Sequence, residues 1–428
     1  MEEIKQQGRQ YKPTINIGQA PHMVVPMLYI GSAYLFLLLA AIVLFTHAAD
    51  VALSDFSLPI VITMVHLFTL GFLSMTAMGV LSQWVPVVFD VDPVGRRRGV
   101  VQYMLYTLGF MLFAWGFSHE LWVLVAIGGA FLALAIVLWS NNVLGQLKRS
   151  KKSRDAMFYG IVGAVLGFNI TWLLGLSMAF SFVGWWPFLD ILRIHVATAL
   201  TGWIGLLLLS VQLKLNPMFS MSKLDRVRPA IPMILTVLGL LAAWSSAVEP
   251  LLFRLSGVLW AAAVAVSIVQ SGLVIGRGKS PRLDSVFLGV MASWLLLLGA
   301  AFFAVVPSPL AVVLALWGTM GLIMSYQARI IPFMLALAVA KRLPGPPAKA
   351  FFIAQTMHSR IQPVLIAGLM LLGGAVSVWG ISRRSSLAIE GAAFIVLLVV
   401  LSQFVNLGIS VNRGRRQKHP VTGILPKN

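Results

Sequence analysis

Twelve apolar runs dominate this chain, near residues 24–47, 59–84, 99–117, 121–146, 156–180, 189–213, 229–247, 251–276, 284–306, 309–338, 361–381 and 385–411. Each approaches or exceeds the roughly 20 residues that a helix needs to cross a hydrocarbon core about 30 Å thick. Very short turns separate 99–117 from 121–146 and 229–247 from 251–276, so these pairs read as hairpins. Composition agrees with the runs. Hydrophobic residues make up 59% of the chain and charged residues 11%, and mean hydropathy is +0.90. A soluble domain carries about a quarter charged residues. The expected fold is an all-α integral membrane protein of about twelve transmembrane helices. A membrane domain over 23–411 lies between a polar tail, 1–22, and a basic tail, 412–428.

The net charge of +19 raises the question of nucleic acid. The placement of the charges answers it. With the N-terminus inside, 28 of the 32 Lys and Arg residues fall on the inner side, and Arg193, Arg254, Arg383 and Arg384 remain outside. That bias follows the positive-inside rule from loop to loop. The basic residues are therefore expected to set topology beside an anionic inner leaflet, with no nucleic-acid partner. The expected location is the plasma (inner) membrane of a prokaryote, multi-pass, with both termini cytoplasmic. The polar start lacks the apolar core of a cleaved signal peptide, so the first apolar helix is expected to serve as an uncleaved insertion signal. With no Cys in the chain, disulfides and thiolate sites are excluded.

A repeat runs through the helices. The second, sixth and tenth each end in a Pro near the inner surface, Pro86, Pro217 and Pro332. A small residue stands seven positions before each Pro: Gly79, Ser210 and Ser325. Gly71 and Gly202 both stand fifteen before theirs. The spacing of four helices predicts three four-helix blocks. Small residues at these positions suit close helix contact or space for a flat ligand.

Ionisable residues inside a membrane are costly and mark functional sites. Two histidines qualify, His66 in the outer third of the second helix and His195 at similar depth in the sixth, with Arg193 just outside it. Neutral imidazole is a common ligand of metals and of heme iron. The competing role for each is a core histidine bonded to a backbone carbonyl. His195 shares a helix face with Thr198, Gly202 and Gly205, a small and polar face that suits a cavity or a tight contact. Arg383 and Arg384 occupy a short outer turn against the charge trend, which reads equally as a tolerated exception to a statistical bias or as a site where guanidinium groups hold an anion. Nucleotide fingerprints, phosphate loops and zinc-type clusters are absent from the sequence, and no carboxylate lies deep in the inner half of a helix.

Twelve helices in three blocks with both ends inside, His66, His195 and the Arg383–Arg384 turn together resemble subunit I of the heme-copper oxidase superfamily. The resemblance spans the chain in topology and is local in sequence. It implies that His66 is an axial heme ligand, that His195 binds copper or another metal, and that Arg383 and Arg384 contact heme propionates; Arg193, by its place just outside His195, is a further candidate cofactor contact. It also implies a redox partner, a cytochrome or a quinol. The family places histidines in the seventh and tenth helices, whereas AIPMILTVLGLLAAWSSA and LWGTMGLIMSYQARIIPFML hold none. A complete binuclear oxygen-reducing centre is therefore not expected. Heme-linked electron transfer, nitric oxide handling or heme and metal trafficking are the expected roles. The alternatives are a twelve-helix permease for a small solute and a non-catalytic partner subunit.

Overall fold

The computed structural model describes Gln19 and residues 22–188, 190–224, 227–278, 285–306, 308–340, 354, 356–357 and 359–416. Most of the N-terminal tail, the C-terminal tail beyond residue 416, and His358 and His419 lie outside the described residues. The described residues contain no strand.

Twelve principal helices form in the order of the apolar runs. They are α1 (Val24–Thr46), α2 (Pro59–Phe89), α3 (Arg96–Ser118), α4 (Trp122–Arg149), α5 (Ala156–Phe182), α6 (Leu192–Ser220), α7 (Ala230–Ser245), α8 (Leu251–Gly276), α9 (Val286–Val305), α10 (Pro309–Ala340), α11 (Ile361–Arg383) and α12 (Ser386–Arg416). A further short helix, Ala48–Ala52, follows α1. Eleven of the described helices are long and apolar enough to cross a membrane. The exception is α7. Its 16 residues rise about 24 Å at 1.5 Å per residue, short of a full hydrocarbon core. Large apolar side chains such as Leu35, Met104, Leu173 and Phe302 stay exposed on the outside of the bundle, as a lipid-facing surface requires.

The packing follows the repeat. Helix α2 packs against α1, α3 and α4; α6 against α5, α7 and α8; α10 against α9, α11 and α12. Neighbouring blocks join through α4–α5, α8–α9 and α12–α1, and α10 touches both α2 and α6. Three inner helices thus stand inside a closed ring of nine. The small residue before each Pro marks where the inner helix crosses the first helix of its block. A Cβ on Gly79 would meet the Tyr29 side chain at 2.8 Å. One on Gly160 would meet Ser210 Oγ at 2.1 Å, and one on Gly289 would meet Ser325 Oγ at 2.2 Å. These small residues bring backbones together.

The likeness of α2 and α6 extends to the backbone. Each contains an eight-residue π-helical stretch, Leu67–Ser74 and Thr198–Gly205. Each then continues as a 15-residue α-helix that closes on a left-handed residue, Asp90 or Met221, whose N–H donates to the carbonyl of Pro86 or Pro217. Every one of these landmarks in α6 lies 131 residues after its counterpart in α2. Helix α10 is α-helical over the corresponding turns.

Candidate metal centre

Each pair of inner helices bounds a compartment, and the three compartments differ. Between α10 and α2 the space is filled by Tyr34, which packs on Phe72 and Phe404 and donates to Gln327. Between α6 and α10 lies a cavity of about 410 Å³. Between α2 and α6 lies a cavity of about 80 Å³ walled by α2 to α6, and both His66 and His195 line it.

The two imidazoles are 6.4 Å apart, centre to centre, with 35° between their planes. His66 Nδ1 bonds the carbonyl of Ile62 at 2.8 Å, one turn back on its own helix. His195 Nδ1 bonds the carbonyl of Thr171 on α5 at 3.1 Å. A carbonyl only accepts, so each Nδ1 carries the proton and each neutral ring keeps a lone pair on Nε2. Among the described residues, no hydrogen bond engages either Nε2. A carbonyl on Nδ1 that fixes the tautomer is the outer-sphere arrangement typical of metal-binding histidines. Thus the carbonyl bonds of a structural core histidine are present, and they also aim the remaining nitrogens at ligand chemistry.

Aromatic side chains close the compartment. His66 stacks on Phe117 with centres 6.0 Å apart and meets the edge of Phe113 at 5.1 Å. Beyond Phe117, Trp122 and Phe182 pack edge-on against it. Toward the C-terminal ends of α2 and α6, Trp203 stacks on Phe168 at 4.3 Å, and its indole N–H donates to Ser74 Oγ at 3.1 Å. The ring of His195 sits against Gly175, where a Cβ would meet its Cε1 at 3.1 Å. The Thr69 and Thr171 hydroxyls that face the cavity are spent on the carbonyls of Val65 and Gly167. No group of three or more His, Cys, Asp or Glu side chains is gathered among the described residues. The donor set is therefore two nitrogens.

The other expected site residues are elsewhere. Arg383 and Arg384 are exposed at the end of α11, with Arg384 in a left-handed C-cap at φ 53°, and neither lines the His66 cavity. Arg193 is exposed at the start of α6 and lines the larger cavity. The structure thus brings His66 and His195 together and leaves the three arginines out of that site. The space between the histidines is small. Pockets for larger organic ligands measure about 300–1,000 Å³, and this one holds about 80 Å³. The histidines are also not in equivalent repeat positions. His66 stands 20 residues before Pro86 and His195 22 before Pro217. What they share is a place at the N-terminal end of a π-helical stretch, and π segments recur at functional sites. Sequence reasoning missed Gly175, Phe113, Phe117 and the Ser74–Trp203 pair. Only the glycine in the α5 run carried a sequence signal.

Comparison with protein-family models gives no match, and no curated protein matches the chain.

Proposed function

We propose that the protein is a membrane-embedded metal-binding protein that holds one copper(I) ion between His66 and His195, for copper handling or for binding a small gas at that ion. The observation that carries this reading is the pair of Nδ1-anchored imidazoles lining one small cavity. Imidazole suits copper. Divalent zinc takes about four ligands, and no carboxylate lines this cavity to offset a double charge. Copper(I) carries a single charge and accepts two nitrogens in line. Metal–nitrogen bonds of about 2.0 Å, with about 1.1 Å more to each ring centre, set in-line imidazoles about 6.2 Å apart, against 6.4 Å here. The three-block packing supports the resemblance to heme-copper oxidase subunit I as a scaffold, with the heme role set aside because the space is too small. A small-solute permease is the second reading, favoured by the larger cavity between α6 and α10.

Purified protein from copper-replete cells tests the metal role by mass spectrometry and copper-edge X-ray absorption. The expected result is about one copper per chain in a two-nitrogen environment, lost in His66→Ala and in His195→Ala, without a Soret band. Equal copper in the double variant removes the metal reading. A Soret band that disappears in His66→Ala restores the heme reading. Saturable solute flux in metal-free protein favours the permease.

A further inference from the structure

The cavity between α6 and α10 is long. Along α6 its wall runs from Arg193 to Leu209, 16 residues or about 24 Å of helix at 1.5 Å per residue. With a volume of about 410 Å³, a cavity drawn out along a helix suits an extended hydrocarbon chain. The walls are largely apolar; Trp260 and Trp294 add indole N–H groups that are buried without a hydrogen-bond partner among the described residues. Thr201, Thr236 and Thr319 line the cavity, yet each hydroxyl donates to a carbonyl of its own helix, Ala197, Pro232 and Ala315. Ser308 Oγ accepts from the Leu310 N–H.

Arg193 is the one charged side chain on this lining, and it stands at the outer end. Its guanidinium makes no ion pair or hydrogen bond among the described residues; exposed Asp190 nearby does not pair with it. A long, largely apolar slot that ends at an unpaired fork of donors suits one kind of molecule. We propose that this slot binds a single extended hydrocarbon chain that bears an anionic head, with the head held by Arg193 at the outer mouth. The chemistry is shared by a free fatty acid and by an acyl chain of an anionic phospholipid. Nothing in this assignment depends on the metal centre.

The test uses the full chain in bilayer discs of phosphatidylcholine, titrated with cis-parinaric acid, a fluorescent fatty acid. Trp260 and Trp294 line the slot, so energy transfer from tryptophan reports entry. Saturable transfer is expected in the parent. Arg193→Gln is expected to weaken binding about tenfold, the loss of one charge-assisted contact. Arg193→Lys should retain most of the affinity, and Ala301→Phe should block the slot. The corresponding neutral polyene alcohol should bind the parent and Arg193→Gln alike, about tenfold more weakly than the acid binds the parent. Displacement by palmitate identifies a fatty-acid site, and displacement by phosphatidylglycerol in the discs identifies a phospholipid site. Arg193 is exposed, so its variants keep the test valid if Ala301→Phe fails to fold. Absence of saturable transfer, or saturable binding that Arg193→Gln leaves unchanged, overturns the proposal.

Discussion

The indole N–H of Trp203 donates to the hydroxyl of Ser74 at 3.1 Å, and so bonds the π-helical stretch of α6 to that of α2 on the C-terminal side of the histidine pair. Both residues are buried. Ser74→Ala leaves the indole N–H without a partner. An orphaned buried donor costs about 1–3 kcal/mol, and hydrogen bonds between membrane helices average about 0.6 kcal/mol. A loss of about 1 kcal/mol is expected in reversible unfolding in bicelles, with weaker copper retention. Ser74→Thr, which keeps the hydroxyl, should lie closer to the parent.

The course of the helices was legible because bilayer length and charge bias act on every span. The observed helices begin and end within a few residues of the apolar runs, apart from the C-terminal ends of α2, α6 and α12, which continue to Phe89, Ser220 and Arg416. The three blocks were legible in the Pro and small-residue spacing, and Gly160 against Ser210 supplies the reason for it. The π stretches were not. LFTLGFLS and TALTGWIG have no composition that separates a π turn from an α turn, and the choice between them is made by packing. The meeting of His66 and His195 was hidden for the same cause, since it depends on how two helices from different blocks face one compartment. Arg383 and Arg384 invited a clamp because they break the charge rule. In the structure they end α11 in an exposed turn.

Gly175 leaves room for the imidazole of His195. A methyl group there stands 3.1 Å from Cε1, so the ring must shift by a few tenths of an ångström, and its bond to the Thr171 carbonyl shifts with it. Loss of outer-sphere support typically lowers metal affinity 10–100-fold. Gly175→Ala is expected to reduce copper affinity by about tenfold. Gly31→Ala, where a Cβ meets nothing within 4 Å, should leave it unchanged. Competition with a copper(I) chelator of known affinity measures both.

The crossing of α5 and α6 predicts a reciprocal pair. Gly160→Ala puts a methyl group 2.1 Å from Ser210 Oγ, and that hydroxyl is already held by the Leu206 carbonyl at 2.6 Å. Overpacking of this kind costs about 1–3 kcal/mol. Gly160→Ala/Ser210→Gly removes the obstructing hydroxyl and is expected to recover most of the loss. Because the two residues touch, the double-mutant cycle should show a coupling of about 0.5–3 kcal/mol in thermal unfolding. Additive losses would place the crossing elsewhere.

The charge pattern predicts that the ends of the chain face the cytoplasm. A reporter fused after Asn428 should be active there alone, since 28 of 32 Lys and Arg residues fall on that side under this arrangement. Activity on the opposite face would invert every depth assigned to His66 and His195.

Leu200 lines both cavities, the small one with the histidines and the long one ending at Arg193. It belongs to the π stretch of α6, Thr198–Gly205, so the same backbone irregularity that follows His195 also sets this shared wall. Truncating a packed leucine to alanine in a soluble core costs about 2–5 kcal/mol and leaves a cavity. Here the cavity would join two that already exist. Leu200→Ala is therefore expected to connect the metal centre to the slot and, through its outer mouth, to solvent. The readout is kinetic. Copper extraction by a water-soluble copper(I) chelator should become at least about tenfold faster, a barrier lowered by about 1.4 kcal/mol. Leu200→Ile keeps the volume and should extract at the parent rate. Filling the slot in the Leu200→Ala background with Ala301→Phe should slow extraction again, because the route passes through it. If Leu200→Ala and the parent release copper at the same rate, the two compartments are not separated by this side chain, and access to the histidines runs through the aromatic cover of Phe117 and Phe182.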